Sequence, residues 1–112
     1  MPLESQFKSD LIDELHDSFP GCIIFKTDVQ GFPDVFILFH SKWACLETKR
    51  SSHERYQPNQ EYWLEVLDEM SFASMICPEN KEAVLHGLQQ SLAPRRATRV
   101  SKCVKVPLGE LY

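Results

Sequence analysis

Gly31-Phe32-Pro33-Asp34-Val35-Phe36-Ile37-Leu38-Phe39-His40-Ser41-Lys42-Trp43-Ala44-Cys45-Leu46-Glu47-Thr48-Lys49 decides how this chain is read. Two apolar, β-favouring runs, 35–39 and 42–46, flank His40-Ser41, the pattern of a hairpin of two strands. With the loop centred on His40-Ser41, Asp34 falls directly opposite Glu47. Opposed residues of an antiparallel pair have Cβ atoms roughly 4.5–5.5 Å apart, close enough for both carboxylates to share a small hard cation. Side chains alternate along a strand, so Glu47 and Lys49 are expected on one face and Thr48 on the other. His-Ser lacks the Gly or Asn that a two-residue primed turn prefers, and a four-residue loop from Phe39 to Lys42 would keep the same register.

Working outward, Leu3, Phe7, Leu11 and Leu15, with Ile12 and Phe19 beside them, recur at helical spacing and stop at Pro20-Gly21. Cys22 to Phe25 reads as a short strand, and Asp28 to Gly31 as the turn into the hairpin. After the hairpin, Arg50 to Gln57 is polar and reads as a loop. Pro58 suits the first turn of a second helix, with Trp63, Leu64, Leu67 and Met70 as its buried stripe. Phe72 to Cys77 is an apolar run of strand length broken by Pro78, and Glu79 to Leu92 reads as a third helix stopped by Pro94. The order predicts an α/β fold with an αβββαβ core: a four-stranded mixed sheet flanked by helices, its last strand returning parallel after a crossover helix.

At 112 residues and 43% hydrophobic content, the chain fits one compact domain, residues 1–94, with residues 95–112 as a basic tail. Neither a signal peptide nor a membrane-spanning run is expected, which points to the cytoplasm of a phage-infected or bacterial cell. Cys22, Cys45, Cys77 and Cys103 are far apart, without zinc-ligand spacing, and read as reduced thiols. The net charge is −4, unevenly spread. Arg95, Arg96, Arg99, Lys102 and Lys105 stand in the tail beside one acid, whereas residues 1–94 carry seven basic against fifteen acidic residues. A basic tail on an acidic body is compatible with phosphate binding, which depends on the local field and not on the sum.

The order helix, strand, Pro-Asp strand, Glu-x-Lys strand, helix, strand resembles the PD-(D/E)xK nuclease superfamily, over about Leu3 to Cys77. Within it, Gly31-Phe32-Pro33-Asp34, Leu46-Glu47-Thr48-Lys49 and Gln57-Pro58-Asn59-Gln60 with Trp63 are similar to the VRR-Nuc group. Leu3-Glu4 with Phe7 and Leu11, together with Glu47-Thr48-Lys49, is similar to phage endonuclease I-type Holliday junction resolvases. The resemblance implies a restriction-endonuclease-like fold and Mg²⁺-dependent phosphodiester hydrolysis, with Mn²⁺ able to substitute. Asp34 and Glu47 would hold the metal, with the backbone carbonyl of Thr48 as a third ligand and Glu4 completing the shell. Lys49 would orient the attacking water or stabilise the pentavalent charge, and Gln60 would hold the water or a substrate phosphate.

Glu14, ten residues after Glu4, returns to nearly the same helix face and competes with it as the acid of the first helix. Arg50, His53 and Arg55 follow the Glu-x-Lys strand and carry donors for a DNA backbone, as do the five tail cations; the tail's β-favouring residues also suit an edge strand in a dimer, but five cations would repel their counterparts across a two-fold interface, which favours phosphate contact. A homodimer with two-fold paired sites suits a four-way DNA junction, so a structure-selective endonuclease acting on branched DNA is the expectation. The rivals are a sequence-reading nicking or homing-type endonuclease and a non-catalytic DNA-binding or assembly protein on the same fold.

Overall fold

The structure, a computed structural model, describes residues 4–93, and of Glu4 the backbone alone. Helix α1 (Glu4–Ser18) leads into strand β1 (Ile23–Lys26), the hairpin strands β2 (Val35–Phe39) and β3 (Lys42–Thr48), helix α2 (Gln60–Met70), strand β4 (Phe72–Ile76) and helix α3 (Lys81–Leu92). The strands lie in the order β1-β2-β3-β4. The first three run antiparallel and β4 joins β3 in parallel, so the fold is α/β with a four-stranded mixed sheet flanked by helices.

The hairpin register follows the apolar alternation. Val35 pairs with Leu46 and Phe39 with Lys42, which leaves His40-Ser41 as a two-residue loop. His40 supplies the unusual backbone that this turn requires, with φ +56°. A positive φ at the first loop residue alone matches a type II′ turn, where Gly is the usual occupant.

Alternation gives the sheet two dissimilar faces. Val35, Ile37, Ala44 and Leu46 point to α1 and α3, where Leu11, Leu15, Leu88 and Leu92 complete the main core. Cys45 and Ala73 point to α2 and meet Leu64 and Leu67, with Phe32, Phe36, Trp43 and Trp63 packed around them. Both tryptophans thus belong to packing, Trp43 stacked on Phe36 at 5.6 Å and Trp63 edge-on to Phe32 at 5.5 Å.

Helix α2 departs from the sequence expectation at both ends. It starts at Gln60, not at Pro58, because Asn59 adopts a left-handed φ of 71° that cannot continue a helix. Its buried stripe is Gln60, Leu64 and Leu67, and Met70 is 68% exposed. Four residues beyond Leu67 the face falls on Ser71, whose hydroxyl donates to the Trp43 carbonyl, so Met70 is turned outward. Strand β1 covers Ile23–Lys26, one residue later than expected, and α3 begins at Lys81, two residues later. Among the described residues no helix is long and apolar enough to cross a membrane. Cys22, Cys45 and Cys77 are free and buried; Cys103 lies outside the described residues.

Candidate functional site

The segment between β1 and β2 is fastened before it delivers Asp34. Gly31 holds φ +83°, and a Cβ there would stand 3.0 Å from the Pro58 carbonyl oxygen and 3.1 Å from the Asn59 side chain. Only glycine meets both demands without strain. Phe32 packs on Trp63, and Thr27 donates its backbone N–H to the Asp34 carbonyl at 2.9 Å. The loop is therefore pinned to the start of α2 and to the end of β1, which fixes where the Asp34 carboxylate can reach.

That carboxylate does not follow strict strand alternation. Asp34 lies one residue before β2 and its side chain turns toward Thr48, whose backbone N–H donates to Oδ1 at 3.0 Å and whose hydroxyl donates to Oδ2 at 2.6 Å. Lys8 of α1 closes the same oxygen at 2.7 Å. Thr48 thus points away from Glu47, as alternation requires, but toward Asp34. The threonine is fully buried and clamps the aspartate.

Glu47 is held from the other face. Gln60, the first residue of α2, donates Nε2–H to Glu47 Oε2 at 3.0 Å and accepts at Oε1 from Lys49 Nζ at 2.8 Å and from the Gln57 backbone N–H at 2.6 Å. Lys49 also donates to the Arg55 carbonyl at 3.3 Å and stands 3.9 Å from Glu47 Oε2. All three side chains are buried, with exposures of 6% for Glu47, 3% for Lys49 and 7% for Gln60. Buried charges are stable only when paired and hydrogen-bonded, and one glutamine here serves both signs, its amide nitrogen for the carboxylate and its oxygen for the ammonium. Tyr56 lies over this group, with Lys49 Nζ 5.9 Å from its ring centroid. Burial first, and then the carboxylates of Glu61 and Glu47, raise the Tyr56 phenol above its ordinary range.

Asp34, Glu47 and Gln60 open on one cavity of about 390 Å³, with Lys8, Thr27, Asp28 and Gln57 among the other lining residues. Lys49 does not line it and sits behind Gln60. Sequence reasoning missed Lys8, Thr27 and Asp28; Lys8 was detectable as the residue one helical turn after Glu4. Glu14, the rival first-helix acid, is tied to Lys81 of α3 at 2.9 Å and is not among the cavity's lining residues. Arg50, His53 and Arg55 are exposed on the loop after β3, where Glu54 accepts from the Arg50 backbone N–H at 2.7 Å and its carboxylate is 3.7 Å from the Arg50 guanidinium. The Glu4 side chain and Arg95, Arg96, Arg99, Lys102 and Lys105 lie outside the described residues.

Among the described residues no three His, Cys, Asp or Glu side chains are grouped closely enough to hold a metal ion. The acids that face the cavity in a fixed, hydrogen-bonded form are Asp34 and Glu47. Two hard oxygen donors fit Mg²⁺, which retains several waters, better than they fit a cation that needs a full protein cage. Comparison of the chain with protein-family models, with curated proteins and with solved structures found no match.

Proposed function

We propose that the chain is a Mg²⁺-dependent DNA endonuclease, structure-selective for branched DNA and acting as a homodimer. The observation that carries the reading is the pair of carboxylates, Asp34 and Glu47, held from opposite faces of one sheet yet lining a single cavity with Gln60. Mg²⁺ bound by these two carboxylates would polarise the scissile phosphate and lower the proton affinity of the attacking water. Thr48 fixes the Asp34 carboxylate with two donors, and Gln60 fixes Glu47 with one, so neither must reorganise when substrate arrives. Lys49 keeps a positive charge beside Glu47, with its ammonium 2.8 Å from Gln60 Oε1 and 3.9 Å from Glu47 Oε2, and would act on the site through these two side chains. Arg50, His53 and Arg55 are exposed on the loop that follows β3 and would supply backbone contacts to DNA.

One observation favours a second reading. Lys8 against Asp34, and Lys49 with Gln60 against Glu47, already give both acids basic or amide partners, as a non-catalytic DNA-binding protein on this fold would. Labelled four-way junction, flap, single-stranded and duplex DNA of shared sequence, incubated with Mg²⁺, Mn²⁺, Ca²⁺ or a chelator, separate the two. The junction should be cut with Mg²⁺ or Mn²⁺, and bound without efficient cleavage with Ca²⁺, whose looser shell positions water poorly. Cleavage that survives exhaustive chelation would exclude this mechanism, and binding without cleavage in every metal would favour the second reading.

A further inference from the structure

Among the described residues, Lys8 is the one basic side chain lining the cavity, and its ammonium lies 2.7 Å from Asp34 Oδ2. With side-chain exposures of 25% and 19%, the pair is neither dissolved in water nor fully sealed from it. Asp34 Oδ2 also accepts the Thr48 hydroxyl, and Oδ1 accepts the Thr48 N–H, so three of the roughly four lone-pair positions of a carboxylate are filled. A divalent cation on Asp34 would meet the ammonium on the same small group at a separation where like charges repel strongly. A lysine has the means to yield, because its charge rides on a flexible four-carbon stem, whereas Thr48 is buried in β3.

We infer that Lys8 is a resident counter-cation of this site: its ammonium neutralises Asp34 until a divalent cation displaces it, and so sets the cation affinity. The inference rests on Asp34 being a cation ligand, as proposed above. The apparent affinity is then the intrinsic affinity multiplied by the fraction of molecules in which Lys8 has let go, so the more firmly the ammonium is held, the weaker the observed binding. An ion pair that merely ties α1 to the sheet would contribute stability and leave cation affinity unchanged beyond the effect of net charge.

Calorimetric titration of the full chain with Mn²⁺ alone, without DNA, reads this directly. Lys8→Met should bind Mn²⁺ roughly five- to tenfold more tightly than the wild type, the gain expected when a partly exposed ion pair no longer competes. Lys26→Met removes the same unit of charge from an exposed residue at the end of β1 and should tighten binding far less. Thermal melting supplies the second readout: Lys8→Met should melt lower than the wild type without metal and recover more of its stability as Mn²⁺ is added. Lys8→Gln repeats both measurements if the methionine variant folds poorly. Equal Mn²⁺ affinity in the wild type, Lys8→Met and Lys26→Met, or equal tightening by the two variants, would overturn the inference while leaving the cation site standing. Failure of all three to bind Mn²⁺ would overturn both.

Discussion

The two faces of the sheet solve different problems. Among the described residues, thirteen buried apolar residues form one continuous cluster against α1 and α3, whereas against α2 only Cys45, Leu64, Leu67 and Ala73 are buried together. The thinner face is where Glu47, Lys49 and Gln60 are buried, and the thicker face lends Thr48 and Lys8 to Asp34. A polar site placed on the lightly covered side interrupts little apolar packing. The dense core opposite holds the strands whose register delivers the acids.

The largest expected effect is on cleavage. If the chain is the endonuclease proposed above, Asp34→Ala and Glu47→Ala, one from each face, should each lower the cleavage rate by about a thousandfold, and the double variant should lose little more, because the two would act on one phosphate. Additive losses in single-turnover assays would mean that the faces do not converge on one reaction.

Stability should show the opposite asymmetry. Ile37→Ala, in the main core at 0% exposure, should cost about 4 kcal/mol in urea unfolding, and Leu64→Ala, at 7% exposure under α2, about 2 kcal/mol. Equal losses would show that α2 is as firmly packed as the other side.

The acids and their partners divide in the same way, on a smaller scale. Lys49→Met leaves the buried Glu47 carboxylate without its neighbouring charge and should cost about 3 kcal/mol, whereas Asp34→Asn, at the partly exposed rim, should cost about 1 kcal/mol. A Lys49→Met protein as stable as the wild type would show that the buried Glu47 carboxylate does not depend on the neighbouring ammonium.

The smallest effect is one of pH. Burial pushes the Cys45 thiol up from 9.0 to about 12. The folded state therefore keeps the proton in a range where the unfolded chain releases it. Stability from this group is intact below pH 9 and lost progressively between 9 and 12, by about 1 kcal/mol at pH 10. Cys45→Ala should flatten that part of the unfolding curve. An unchanged slope would show that the α2 face admits water.

Where the sequence was legible, it was so through periodicity. Alternation between residues 35 and 46 contains the hairpin register, because a slip of one residue would turn Val35, Ile37, Ala44 and Leu46 out of the core together. The spacing of Leu11 and Leu15 contains the buried face of α1, and the parallel return of β4 follows from its crossover helix. The start of α2 was hidden, since the left-handed Asn59 stands where Gly31, far away in sequence, packs against Pro58 and Asn59.

The site divides along the same line. Asp34, Glu47, Lys49 and Gln60 were nameable from residue type and spacing, because a hairpin puts fixed positions opposite each other and the following helix begins nearby. Which group each one touches was decided only in three dimensions. Asp34 stands outside the strand, so alternation no longer binds its side chain, and it turns to Thr48 and Lys8 instead of facing Glu47 directly. Gln60 reaches Glu47 and Lys49 only because α2 lies across β3, and Lys8 enters the cavity only because α1 packs on the other face. Local sequence determines strands, helices and the faces they offer; the partners of a charge are chosen by segments that sequence distance keeps apart and burial brings together.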